Sequence, residues 1–191
     1  MWSGNNFFEG VEYSHMNIHP IFVHFPIAFL TIYAIMELLR FKVLVNNHSY
    51  NVFKKGLLLL GVAMSLPALS TGELAEEAFG QGQHDLIEMH AGFAVSTVRV
   101  FGVILFAYII EKINRDQRLL KIKNLLYGTK IVSSVWKFAT KIANLILQSP
   151  VLVALCFIGI ILVTVTGALG GTLVYGPDVD FFTKFVYGLL F

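Results

Sequence analysis

Histidine and glutamate side chains recur inside apolar stretches of this 191-residue chain, where ionisable groups are costly. His24 lies in "NIHPIFVHFP", Glu73 in "TGELAEE" and His90 in "HAGFAVST". Counted inward at about 1.5 Å per residue from the ends of their stretches, these three residues lie at one depth, and His19 lies shallower. Imidazoles and carboxylates bind transition metals, and two imidazoles on facing helices can hold a b-type haem.

This pattern favours a b-type haem with His24 and His90 as its axial ligands. Glycines in "TGALGGTLVYGPDVD" would give the flat macrocycle a smooth wall; they are Gly167, Gly170 and Gly171. Arg99 lies in the middle of an apolar stretch, so it is predicted to face inward and is included among the cofactor-binding candidates. The predicted function is an electron-transfer subunit of cytochrome b type, acting with redox partner proteins or within a larger membrane complex.

Two other hypotheses explain the same residues. A cofactor-free structural membrane subunit would use the histidines for hydrogen bonds between helices. A divalent-metal protein would use His/Glu ligands, and the candidates are His19, His24, Glu73 and His90. The chain has no HExxH, Walker, GxSxG or dinucleotide-binding motif, so no hydrolase or transferase motif is recognised and no nucleic-acid partner is predicted.

The elements that must position these residues are membrane spans. The chain is 56% hydrophobic and 14% charged, whereas roughly a quarter of a soluble domain is charged. A bilayer core of roughly 30 Å needs about 20 apolar residues. Four stretches meet this length, and they lie near 17–40, 55–79, 84–111 and 150–175. The predicted fold is an all-α membrane protein, a four-helix transmembrane bundle within a single domain spanning 17–180.

Basic residues mark the two loops that are predicted to be cytoplasmic. They are Arg40, Lys42, Lys54, Lys55, Lys112, Arg115, Arg118, Lys121, Lys123, Lys130, Lys137 and Lys141. The chain is therefore predicted to cross the bacterial cytoplasmic membrane with both termini outside, in contact with the lipid bilayer. Residues 1–16 are predicted to form an outer polar arm, and 181–191 are predicted to form an outer interfacial tail.

The segment 113–148, before the last span, is predicted to contain an amphipathic helix on the inner leaflet. Its apolar face carries Ile131, Val135, Phe138, Ile142 and Leu145. Its polar face carries Lys130, Ser134, Lys137, Lys141 and Asn144. A helix that packs against the bundle on the soluble side is the alternative.

Four motifs in register give the chain a family resemblance. At "IHPIFVHFPIAFL", "TGELAEE", "HAGFAVSTVRVFG" and "TGALGGTLVYGPDVD" it resembles the bacterial predicted membrane protein family called domain of unknown function 2231. The resemblance covers most of 17–180 and implies a four-span bundle. It implies no activity, and the 113–148 segment is longer and more amphipathic than the family's usual loop.

Overall fold

The computed structural model describes residues 18–39, 41–76, 83–148 and 150–191. Within them all regular structure is helical, and the all-α prediction is confirmed. The helices are α1 (His19–Leu38), α2 (Lys42–Val45), α3 (His48–Glu76), α4 (His84–Arg115), α5 (Leu120–Leu126), α6 (Lys130–Gln148), α7 (Pro150–Tyr175) and α8 (Phe181–Leu190). A 3-10 turn, Gln117–Leu119, connects α4 to α5. The predicted polar arm, 1–16, lies outside the described residues.

Four helices, α1, α3, α4 and α7, are long and apolar enough to cross a membrane. They overlap the four stretches expected from the sequence. The main difference is at α3, which begins at His48, whereas the sequence places the start of the span near residue 55. Lysine is a good helix former, so Lys54 and Lys55 continue the helix and do not end it.

The long helices pack as a four-cornered bundle. α1 packs mainly against α3 and α7, and α4 packs mainly against α3, α7 and α6. α1 and α4 therefore lie at opposite corners, and side chains that cross the interior join them. We call the two ends of the bundle the His19 end, where α1 and α4 begin, and the Lys54 end, where α3 and α7 begin.

The core draws on all four long helices. Its fully buried side chains include Leu30 and Tyr33 from α1, Leu58 from α3, Phe101 from α4 and Cys156 from α7. Tyr33 meets Phe101 edge to face, with ring centroids 6.1 Å apart. Such an edge-to-face contact is a favoured aromatic geometry, and here it joins the two opposite corners of the bundle.

Two shorter helices flank the bundle. α6 buries Trp136, Ala143 and Ile146 against its neighbours. α8 begins after Asp180, whose carboxylate accepts hydrogen bonds from the Thr183 backbone N–H and hydroxyl. These bonds favour the ionised carboxylate and hold the pKa of Asp180 below its usual value.

Candidate functional site

His19, the first residue of α1, lies half-buried against α3. Its Nδ1 is 3.1 Å from Oγ1 of Thr71. The Thr71 hydroxyl donates its only proton to backbone carbonyls one turn earlier, those of Pro67 and Ala68. With that proton on a carbonyl, the Thr71 oxygen accepts from His19, so Nδ1 of the neutral ring carries the imidazole proton.

His90, in the second turn of α4, has the same tautomer for a similar reason. Its Nδ1 is 3.0 Å from the carbonyl oxygen of Thr166 on α7. Because a carbonyl can only accept, Nδ1 of the neutral ring carries the proton and Nε2 carries the lone pair. This hydrogen bond joins two helices and fixes the orientation of the ring.

The two rings share one region at the His19 end of the bundle. Each ring also rests on a glycine of a neighbouring helix. A Cβ added at Gly72 would lie 3.2 Å from Cε1 of His19, and one added at Gly170 would lie 3.2 Å from Cε1 of His90. Both glycines leave room for an imidazole where a larger residue would displace it.

His24 and Glu73 do not join this region. Both side chains are exposed on the outside of the bundle, and Nδ1 of His24 bonds to the Pro20 carbonyl of its own helix. The common depth expected for His24, Glu73 and His90 therefore does not bring them together in the interior. A common depth does not imply a common direction, since His19 and His24 point about 140° apart around α1.

The structure also gives new positions for the other predicted site residues. Arg99 was expected to face inward, but it is exposed, because it lies about 160° around α4 from the buried Thr97 and Phe101. Of the three glycines expected to form a wall, only Gly170 contacts a histidine. A Cβ at Gly171 would approach Thr183 of α8, and one at Gly167 would meet nothing within 4 Å.

A polar cluster at the Lys54 end was missed by the sequence analysis. Lys54 Nζ lies 2.7 Å from Oε1 of Glu37, and both side chains are over nine-tenths buried. The Tyr108 hydroxyl donates to the same carboxylate oxygen at 2.7 Å. Three of the four long helices thus meet at one buried carboxylate, whose charge is balanced by the lysine.

A second ion pair lies beside this cluster and nearer the surface. Lys55 Nζ lies 3.4 Å from Oε2 of Glu111 and 4.5 Å from the centroid of the Tyr108 ring. Arg115 reaches the other oxygen of Glu111 at 3.3 Å. Partly exposed pairs of this kind contribute little by themselves, so the buried Glu37–Lys54 pair is the unusual feature of this end.

The spacing of residues in α3 contains a signal for this cluster. Lys54 shares a helical face with Leu58, Gly61, Ser65 and Ala68, all of which are buried. That register places Lys54 inside the bundle. Counting the lysine only as part of a basic loop flank conceals its position.

The divalent-metal hypothesis gains no support from this geometry. Across the four described segments, no three His, Cys, Asp or Glu side chains converge in the way that a metal ion would need. Two of its four candidate ligands, His24 and Glu73, face outward. Of the four candidate ligands, only His19 and His90 are partly buried at the same end of the bundle.

The fold and the site together define a helical membrane bundle with a histidine pair near one end. The chain belongs to the family described as predicted membrane proteins of domain of unknown function 2231, whose profile matches residues 15–181. No curated protein matches the chain. No solved structure matches it either. The family resemblance noted from the four motifs is thereby confirmed.

Proposed function

We propose that the protein is a membrane-bound b-type haem protein that carries electrons, with His19 and His90 as the axial ligands. The observation that carries the proposal is the shared tautomer of the two rings. Each ring is bonded to the protein through Nδ1, and in this proposal Nε2 of each ring would bind the iron. Histidines that bind metal commonly have the other ring nitrogen bonded to a carbonyl, carboxylate or water.

The residues around the pair have defined tasks in this proposal. Thr71 and the Thr166 carbonyl hold the tautomers and orient the rings, and Gly72 and Gly170 make room for them. A bound haem supplies one-electron redox chemistry, and the chain supplies ligands, orientation and exclusion of water. A single haem near the His19 end would exchange electrons with a partner at that face of the membrane, not across the whole bilayer.

The optical spectrum of the protein, purified from haem-replete cells, tests this proposal. We expect a Soret band that shifts on reduction, and we expect His19→Ala and His90→Ala each to abolish the low-spin spectrum. His24→Ala on the outside of α1 and His48→Ala at the far end are matched controls that keep it. Circular dichroism and gel filtration of all four variants distinguish loss of ligation from loss of folding.

Two results would overturn the assignment. If His24→Ala removes the spectrum and His19→Ala does not, the ligand pair is His24 and His90. If the wild-type protein is stable and colourless, it binds no haem. A cofactor-free structural subunit would then be the better interpretation, because each Nδ1 already has a protein partner.

We also propose that the chain lies in the bacterial cytoplasmic membrane with the His19 end and both termini outside. The excess of lysine and arginine in the connections at the Lys54 end supports this orientation. In intact cells, an impermeant maleimide should label Asp178→Cys and not Lys121→Cys. The native Cys156 is fully buried and should give little background. The reverse labelling pattern would refute the orientation.

A further inference from the structure

Arg99 is a cation at mid-depth on the outer surface of the bundle. It lies near the middle of α4, roughly 22 Å from either helix end at about 1.5 Å per residue. Its side chain is exposed, on the face of α4 opposite the buried Thr97 and Phe101. Arginines near helix ends reach the headgroups by snorkelling, but Arg99 is midway between the two ends.

Arg99 has no counter-charge in the part of the chain that the structure describes. The ion pairs among the described residues all involve other side chains. No hydrogen bond between the Arg99 side chain and another described residue is present either. An unpaired guanidinium facing hydrocarbon is strongly unfavourable. Something outside the described chain must therefore meet this charge in the membrane.

The face around Arg99 suits close approach by another helix. Residues at alternating intervals of four and three lie on one stripe along a helix. On α4 this stripe consists of Gly92, Ser96, Arg99, Val103 and Phe106. A Cβ added at Gly92 would meet nothing within 4 Å, so packing inside this chain does not require a glycine there. Small residues on a membrane helix allow a partner backbone to come near.

The surface of α4 is covered beyond the end of the stripe. Ala107, the next residue after Phe106, and Ile110, one turn beyond Phe106, are buried against α6. α6 thus occupies the part of the α4 surface nearest the Lys54 end and leaves the part around Arg99 open. A further helix that covers the stripe could therefore also pack against α6.

We propose that this stripe binds a transmembrane helix of a different protein that carries an aspartate or glutamate at mid-depth. Charge complementarity selects this occupant, since a carboxylate both neutralises the guanidinium and accepts two of its hydrogen bonds. The inference goes beyond the haem proposal and does not depend on it. It identifies α4 as the surface through which the chain joins a membrane complex.

Among the residues that the structure describes, a second copy of this chain offers no unpaired carboxylate at the depth of Arg99. Two copies inserted in the same orientation and related by a twofold axis would bring Arg99 against Arg99. The exposed Glu73 lies near the end of α3, about 18 Å shallower than Arg99. Glu37 is buried and paired with Lys54.

The test uses the full chain in phosphatidylcholine vesicles at pH 8 with synthetic apolar helices as probes. Three peptides differ only at the central position, which is Glu, Gln or Leu. Energy transfer from a fluorophore on Asp178→Cys to a labelled peptide reports binding. We expect the Glu peptide to bind about tenfold more tightly than the Leu peptide, in line with a strong polar contact between membrane helices.

Matched variants assign the effect to Arg99. Arg99→Leu should reduce binding of the Glu peptide to the level of the Leu peptide, and Gly92→Leu should weaken it by blocking close approach. Arg115→Leu, at the end of the same helix, should leave it unchanged. Because Arg99→Leu removes an unpaired charge, the variant should fold at least as well as the wild type by circular dichroism.

Three outcomes would overturn the proposal. One is equal binding of the Glu and Leu peptides to the wild-type chain. Another is energy transfer between two labelled copies of the chain that is lost in Arg99→Leu, which would make the stripe a self-association surface. The third is loss of Glu-peptide binding when phosphatidylglycerol is added to the vesicles, which would identify an anionic lipid headgroup as the partner of Arg99.

Discussion

Whether a polar residue of this bundle lies inside or outside depends on the direction in which its side chain points from the helix. His19 and His24 lie on the same helix, but α1 presents to the interior the face that carries Pro26, Leu30 and Tyr33. That face includes His19 and excludes His24. The ligand pair that we propose differs from the pair expected by depth alone for this reason.

A buried charge pair is the second feature at the scale of residues. Glu37 and Lys54 are 3% and 7% exposed, so neither can be hydrated if its partner is lost. A carboxylate and an ammonium in such a place are tolerated only as a pair with further hydrogen bonds, and Tyr108 supplies one of these.

We predict that Glu37→Gln lowers the free energy of unfolding by about 3–5 kcal/mol, because it leaves Lys54 buried without a counter-charge. Unfolding with dodecyl sulfate in mixed micelles measures the change. Glu73→Gln makes the same change at an exposed position and is the control. Its free energy of unfolding should stay within about 0.5 kcal/mol of that of the wild type. Adding Lys54→Met to Glu37→Gln should recover part of the loss; a larger loss would contradict the pairing.

Helices α1 and α3 approach one another closely because of one glycine. A Cβ added at Gly61 would lie 2.5 Å from Cδ2 and 3.3 Å from the backbone N of Leu30. Leu30 is 1% exposed and surrounded by the core, so its side chain cannot move aside freely. The contact between the two helices therefore depends on the absence of a side chain at position 61.

We predict that Gly61→Ala destabilises the protein by about 1–3 kcal/mol through overpacking. Gly56→Ala on the same helix is the matched control, since a Cβ there meets nothing within 4 Å. The control should be neutral or more stable by up to about 1 kcal/mol, because alanine restricts the unfolded chain and favours a helix. Equal midpoints for the two variants in the micelle assay would show that α1 and α3 are not tightly packed at Gly61.

At the scale of the whole molecule, α6 packs on the side of the four-helix bundle, against α4 and α7. One face of α6 is buried by Trp136, Ala143 and Ile146, yet a second apolar face stays open. Its members are Ile131, Val135, Phe138, Ile142 and Leu145, which are between 40% and 79% exposed. The two alternatives considered for this segment are thus compatible, since the helix packs on α4 and α7 and still presents an apolar surface.

We predict that the open face of α6 contacts lipid in the leaflet at the Lys54 end. A polarity-sensitive fluorophore on Phe138→Cys should show blue-shifted emission and strong quenching by brominated lipids in vesicles. The neighbouring Lys137→Cys lies on the polar side and should show neither. If the two positions give the same emission and quenching, the face is covered by protein or water and not by lipid.

The sequence by itself determined the class of the molecule. Long apolar stretches require helices in a membrane, because every backbone polar group must be bonded within its own segment there. Composition and length therefore predict four long helices, and α7 (Pro150–Tyr175) has the bounds expected from the sequence. The family resemblance rests on motifs that are likewise local, and the profile match over residues 15–181 supports it.

Only the tertiary structure decided which polar residues meet. The depth of His24 and His90 follows from counting residues, but the direction of a side chain depends on how each helix is rotated against its neighbours. The sequence contains hints of this rotation, such as the buried register that includes Lys54 in α3. The close packing at Gly61, the tautomers set by Thr71 and Thr166, and the outward position of Arg99 arise from contacts between helices. Hydropathy cannot predict these contacts, because lipid and the protein interior are equally apolar. The face of a span that meets lipid and the face that meets other helices therefore have similar hydropathy.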